Sequence, residues 1–147
     1  MRSVIGITIA APLERIFRLA ADVERWPERL PHYRYVRRLP APHGERRFAM
    51  GARRGRIPVN WKAVQRPFPD RGEIEFEHVG GVTRGMHVRW RLNATPEAVD
   101  VRIEHRLELR WPLVGELVAD RIIGRQFVEP IAGRTLRRIK HLAETEG

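Results

Sequence analysis

The sequence predicts an α+β fold in which a curved, seven-stranded antiparallel sheet wraps around one long C-terminal helix, with two short helices between the first strand and the second. Three observations predict it. A strand-period run at the N-terminus passes directly into a helical run; the middle of the chain is a series of alternating apolar segments divided by Gly and Pro turns; and one long amphipathic stretch closes the chain.

Ile5, Ile7 and Ile9 alternate with Gly6, Thr8 and Ala10, the pattern of a strand with unequal faces. After Pro12 the period changes: Leu13, Ile16, Phe17 and Ala20 share a helical face while Glu14, Arg15 and Arg18 stay wet. Trp26-Pro27 allows one further helical turn to Leu30, Pro31 stops it, and Tyr33, Tyr35, Val36 and Leu39 read as a second strand. A third strand carries Phe48 and Met50, a fourth Ile57, Val59, Trp61 and Ala63, and a fifth Ile74, Phe76 and His78, each set on one face. Pro67 to Gly72 and Gly80 to Gly85 hold the residues that accept tight or left-handed turns. Met86, Val88, Trp90 and Leu92 are the dry face of a sixth strand. The seventh alternates from Val99 to Trp111, with His105 on its dry face and charges on the other, which argues for an antiparallel sheet wet on one side.

The closing helix begins near Pro112 or Gly115 and ends near Ala143. One stripe carries Val114, Leu117, Arg121, Gly124, Val128, Ile131, Ala132, Thr135, Ile139 and Leu142. Gly124 leaves a gap in it, Arg121 places a permanent charge among aliphatic neighbours, and Pro130 is expected to kink the helix because it removes the bond to the carbonyl of Gln126. This suits a helix laid over a concave sheet with room between them, a ligand cavity of roughly 300 to 1,000 Å³.

A chain of 147 residues fits one domain, residues 1–147, with a sizeable core. It has no apolar run near the roughly 20 residues needed to span a bilayer, and its start lacks a secretory pattern, so a cytoplasmic location is expected. The absence of cysteine removes disulfides, thiolate nucleophiles and Cys-ligated metals. The formal charge of +10 raises an anionic membrane surface and, with no RGG, RNP or zinc-finger pattern among the arginines, less readily nucleic acid as partners, beside the plain reading of a solvated, arginine-rich surface set by composition. Arg34, Arg37, Arg38, Arg46, Arg47, Arg53, Arg54 and Arg56 fall in one stretch with Glu45 as its only acid.

The turn Asp22-Val23-Glu24-Arg25-Trp26-Pro27 with Leu30-Pro31, behind a strand and a hydrophobic helix, resembles the opening of the START and Bet v1-like superfamily, in particular its bacterial polyketide cyclase/dehydrase-like branch. The later element order extends the resemblance over nearly the whole chain. It implies a helix-grip fold whose internal tunnel binds lipids, sterols, quinones or polyketides, with the gate formed by the short second helix and neighbouring loops: Trp26, Leu30, Gly80, Gly81 and Gly85. Tyr33, Trp61 and the segment Met86 to Trp90 match positions of aromatase/cyclases in that branch. Those enzymes place an arginine four residues after the fourth-strand tryptophan, where this chain has Gln65 followed by Arg66. By period two, Gln65 shares the face of Trp61 and Arg66 points away unless a bulge near Pro67 reorients it.

The expected cavity contacts are Trp61, Trp90, Tyr33, Met86, Phe76, Gly124 and Val128, with His78, His105 and Arg121 as polar anchors. Tyr33, His78 and His105 are the candidates for acid-base chemistry. His78 and His105 lie on strands expected to flank the sixth, too far apart to share a metal without a third element. No metal-ligand spacing, nucleophile triad or dinucleotide fingerprint occurs, so no cofactor or metal is expected. A hydrophobic small molecule is the expected partner; binding or carriage of it is the first functional reading, cyclisation of a poly-β-ketone the second, and membrane or ribosomal RNA association the third.

Overall fold

The computed structural model of the chain describes residues 1–81, 83–107 and 119–145, apart from the side chains of 119–123. β1 spans Arg2–Ile9 and α1 Leu13–Ala21. Pro12 caps α1 in an extended conformation, and its carbonyl accepts from the backbone N–H groups of Arg15 and Ile16 at 3.1 and 3.2 Å. A 3₁₀ turn, Val23–Arg25, leads to α2, Trp26–Arg29, with Pro27 in the first turn, where its missing N–H costs nothing. Leu30 adopts extended backbone ahead of Pro31.

Six strands follow: β2 Tyr33–Leu39, β3 Arg46–Arg54, β4 Ile57–Phe68, β5 Glu73–Gly81, β6 His87–Ala94 and β7 Val99–Arg106. All pairings are antiparallel and the sheet order is β1-β7-β6-β5-β4-β3-β2, so the first two strands form opposite edges and the helical segment between them crosses the sheet. The expected continuation of the seventh strand to Leu109 and Trp111, and the expected helix start at Pro112 or Gly115 with Val114 and Leu117, lie outside the described residues.

From Ala119 to Val128 the backbone is π-helical; α3, Glu129–Thr145, is regular α-helix. Pro130, where a kink is expected, stands just after the change from π-helical to α-helical winding. Proline has no N–H to give to the carbonyl of residue 126, so it sits in the first turn of α3, where the wider winding ends. α3 touches β1, β3 and α1. Ser3 donates to Glu129 at 3.3 Å at one end, and Lys140 reaches the carbonyl of Thr8 at the other.

The core fills the space between the concave face of the sheet and the helices. Val99, Val101, Ile103, His105 and Leu107 are buried while Arg102 and Arg106 are exposed, and Val88, Trp90 and Leu92 alternate with exposed His87, Arg89 and Arg91. The outer face is closed by charge: Arg66 pairs with Glu77 and Arg89 with Glu75, both at 3.2 Å, and Arg102 with Asp100 at 3.1 Å. Trp26 is the keystone of the helical corner. It is 3% exposed and donates its Nε1–H to the carbonyl of Leu19 at 3.0 Å, so truncation to alanine would cost about 3 to 5 kcal/mol.

Candidate functional site

The inner-facing residues of β4 to β7 meet the first turns of α3 around a cavity of about 90 Å³. Tyr33, Trp61, Phe76, His78, Met86, Trp90, His105 and Val128 line it, as do Trp26, Met50, Val59, Thr83, Ile103 and Thr135. Gly124 is buried in the π-helical segment but is not among the lining residues, and the side chain of Arg121 lies outside the described residues.

The cavity is much smaller than the 300 to 1,000 Å³ expected of a drug-sized site. Aromatic side chains occupy the concavity. The ring of Trp26 approaches Tyr33 at 4.9 Å, Trp90 at 6.1 Å and Phe76 at 6.4 Å, and Tyr33 meets Trp61 edge-on at 6.0 Å. Trp26 and Leu30, expected at a gate, are 3% and 1% exposed, and Trp26 forms part of the inner wall.

The partly exposed lining residues, Val59, Trp61 and His78 from the sheet and Phe127 from the helix side, form the rim. Trp61 and His78 stack with their planes 5° apart and their centroids at 5.7 Å. His78 faces inward by the same parity as Ile74 and Phe76, and beyond it the pairing of β4 with β5 skips Val79, passing from Ala63–His78 to Lys62–Gly80, so that Gly81 stands opposite Trp61. Gly81, at φ 92°, follows on the same edge. A Cβ there would stand 2.6 Å from the carbonyl oxygen of Asn60, so only glycine lets the strand end so close to its neighbour. Gly80 packs against Lys62, and Gly85, at φ 94°, completes the turn into β6.

Two polar clusters face the cavity. On the helix side, the Thr135 hydroxyl donates to the carbonyl of Ile131 at 2.8 Å. Having one proton, it must accept at its 2.9 Å contact with His32 Nε2, which assigns the proton of His32 to that nitrogen. On the sheet side, His78 Nδ1 meets Thr83 Oγ1 at 2.7 Å, while His105, 9% exposed, leaves its buried Nδ1 without a partner among the described residues. β6 separates β5 from β7, and among the described residues no three His, Cys, Asp or Glu side chains gather in a metal set.

Burial favours the neutral form of every one of these groups. It lowers His78 from the ordinary 6.5 to about 3, with His105 and His87 adding repulsion. It brings His105 to about 4, and His32 to about 4 with help from Arg134 and Arg137 against a hydrogen bond to the carbonyl of Ile131. The Tyr33 phenol is pushed up by burial, against a hydrogen-bonding contact with Thr135 that acts the other way. At neutral pH the site is uncharged and offers hydrogen bonds in both directions.

The position that aromatase/cyclases fill with arginine is different here. Gln65 faces inward, 2% exposed; its Nε2 donates to the carbonyl of Ala21 at 2.8 Å and its Oε1 accepts from Arg46 Nε at 2.7 Å, so it fastens α1 to the sheet. Arg66 faces outward to Glu77.

Two polar residues of the helix-side cluster, the lining Thr135 and its partner His32, are missing from the expected cavity contacts. His32 lies between Pro31 and the first residue of β2, where no period applies. Thr135 was legible only as a position on the helix stripe, though a hydroxyl on an apolar stripe is itself a signal for a buried hydrogen bond.

The sequence profile of the family described as polyketide cyclase / dehydrase and lipid transport matches residues 9–129. No match is found among curated protein sequences. Among solved structures, the Zhui aromatase/cyclase from Streptomyces sp. R1128 superposes with a TM-score of 0.82 at 18% identity, over 98% of this chain and 93% of that one. The ginseng major latex-like protein 151 from Panax ginseng gives 0.80 at 11% identity, over 97% of each chain. A START superfamily protein from Mycobacterium smegmatis gives 0.72 at 16% identity, over 96% of this chain and 98% of that one. These likenesses establish the helix-grip fold.

Proposed function

The chain belongs to the polyketide cyclase / dehydrase and lipid transport family, and from that premise we propose that it binds and carries a hydrophobic small molecule, of the lipid, quinone or polyketide kind, between the sheet and the C-terminal helix. The observation that carries this reading is an aromatic-walled cavity lined by His105, whose buried Nδ1 has no partner among the described residues. A buried polar group left unpaired costs about 1 to 3 kcal/mol, and a ligand that completes its hydrogen bond recovers that cost.

A volume of about 90 Å³ is smaller than the roughly 150 Å³ that accommodates benzene, so the ligand enters by displacing side chains. The Trp61–His78 stack is the pair to move, because it reaches the surface while Trp26, Phe76 and Trp90 are held inside. Binding therefore selects an open arrangement of the rim.

Carriage is favoured over cyclisation by the character of the polar groups. A general acid or base works best with a pKa near the working pH, and His78 at about 3 and His105 at about 4 are weak bases, while a raised Tyr33 stays protonated. Such groups orient a ligand. The guanidinium that cyclases carry on the fourth strand is on the far side of the sheet here.

Mass spectrometry of gently extracted protein is expected to recover a near-stoichiometric apolar molecule, and Trp61→Ala to weaken its retention about tenfold, equivalent to about 1.4 kcal/mol. Empty protein that also fails to bind long-chain acyl and quinone probes would overturn the proposal. A changed product pattern on incubation with a reactive poly-β-ketone would replace carriage by cyclisation.

A further inference from the structure

We propose that the β3–β4 hairpin docks the protein onto an anionic lipid bilayer, with Ile57 entering the acyl boundary and Arg53, Arg54 and Arg56 meeting the headgroup phosphates. The hairpin turns through Gly55, at φ 60°, and Arg56, and a Cβ on Gly55 would meet nothing within 4 Å, so the tip stands clear of the rest of the chain. Ile57 is 49% exposed, one of only two large apolar side chains so exposed among the described residues.

The charge around it is concentrated and uncompensated. Residues 46–69 and 78–96, which supply both hairpin strands, the β5–β6 turn and β6, contain no Asp or Glu. Among the described residues the guanidinium groups of Arg53, Arg54 and Arg56 have no ion-pair or hydrogen-bond partner, in contrast to Arg66, Arg89 and Arg102, which are paired on the outer face. A cluster of arginines attracts an anionic surface, and an apolar side chain among them adds the second anchor that stable interfacial binding requires.

The same features disfavour single-stranded nucleic acid. A stacking platform needs a free aromatic face. Tyr35, the aromatic side chain on the outer face of β2, lies over Gly51, holds Asn60 through its hydroxyl at 3.0 Å, and carries Arg37 on its ring at 4.7 Å. Ile57 has no use against a phosphate backbone.

The hairpin also connects with the cavity. Ile57, Val59 and Trp61 share one face of β4, and the latter two line the cavity, so an apolar track runs from the tip to the rim. β5 ends and β6 begins at this same end of the sheet. Docking through Ile57 would present the rim to the bilayer, which gives an apolar ligand a path that avoids water. The docking itself stands on the surface alone; only this last link rests on the proposed carriage.

The test is flotation of the full chain with vesicles of phosphatidylcholine alone and with about a third phosphatidylserine. Binding is expected only with the anionic lipid, weakening as salt rises, and falling about fivefold for each of Arg54→Gln and Arg56→Gln. Ile57→Ser is expected to lower it several-fold at unchanged melting temperature, and Arg89→Gln to leave it unchanged. No flotation with anionic vesicles at low salt would overturn the proposal, as would equal binding by all variants. RNA binding lost with the arginine variants but kept by Ile57→Ser would assign the patch to nucleic acid instead, and concentration-dependent self-association abolished by Ile57→Ser would assign it to a second copy. Ligand retention measured on wild type and Trp61→Ala is read separately, so loss of docking and loss of carriage are distinguishable.

Discussion

The two polar clusters that face the cavity are built from the same kinds of residue, a histidine beside a threonine, yet one is complete and the other is not. On the helix side His32 gives its proton to Thr135 and Thr135 gives its own to Ile131, so that hydrogen-bond chain is closed within the protein. On the sheet side His78 is held by Thr83, but the Nδ1 of His105 has no partner among the described residues. A satisfied buried network fixes structure, whereas an unsatisfied one has hydrogen-bonding capacity left over. The proposed carriage therefore gives the first cluster to stability and the second to the ligand.

The largest expected effect, dependence on pH, includes both. His32, His78 and His105 have folded-state values of about 4, 3 and 4, below the ordinary 6.5 of an unfolded chain. Between those limits the unfolded state binds more protons, so the stabilisation is complete above about 6.5 and is lost as pH falls toward 4, with a limiting slope of about 1.4 kcal/mol per pH unit for each histidine. Urea midpoints measured from pH 7 down to pH 4 are expected to fall progressively. His32→Gln should flatten that profile with ligand retention preserved, and His105→Gln should flatten it with retention reduced; a flat wild-type profile would show that the three imidazoles are not buried neutral.

Thr135→Val comes next. It keeps the shape of the side chain and leaves the His32 N–H without an acceptor, at a cost of about 1 to 3 kcal/mol, or about 2 to 4 °C of melting temperature per kcal/mol. Thr135→Ser should restore most of it. His105→Leu is expected to change stability by less than about 1 kcal/mol in either direction, since it removes a group that is already unpaired, while weakening ligand retention several-fold. If His105→Leu proves as destabilising as Thr135→Val, the contrast between the clusters is gone.

Most of the fold was legible in the sequence because it rests on periodicity. The alternation of Met86 to Leu92 and of Val99 to Leu107 names the dry face of both strands, and simple parity puts Gln65 inside and Arg66 outside, as observed. The site was less legible where a short irregular turn decides orientation. Trp26 follows three residues of 3₁₀ backbone and lies in the core, and a one-residue bulge at Val79 puts Gly81 opposite Trp61. The cavity's size was not legible at all, because it depends on how five aromatic rings pack against one another, and no pattern of residue types encodes that.

The smallest expected effect concerns the arginine that has moved across the sheet. Arg66 and Glu77 form a surface pair at 3.2 Å with both side chains more than a third exposed, and such pairs contribute within about 1 kcal/mol. Arg66→Ala is thus expected to shift the melting temperature by no more than a few degrees and to leave ligand retention unchanged. Gln65→Ala, one residue away, removes the two hydrogen bonds that join β4 to Ala21 and Arg46 and is expected to cost more stability. The pair of substitutions separates side-chain direction from sequence distance. Should Arg66→Ala instead reduce retention, the guanidinium must reach the cavity in the bound state, and the case for carriage over cyclisation would lose its clearest support.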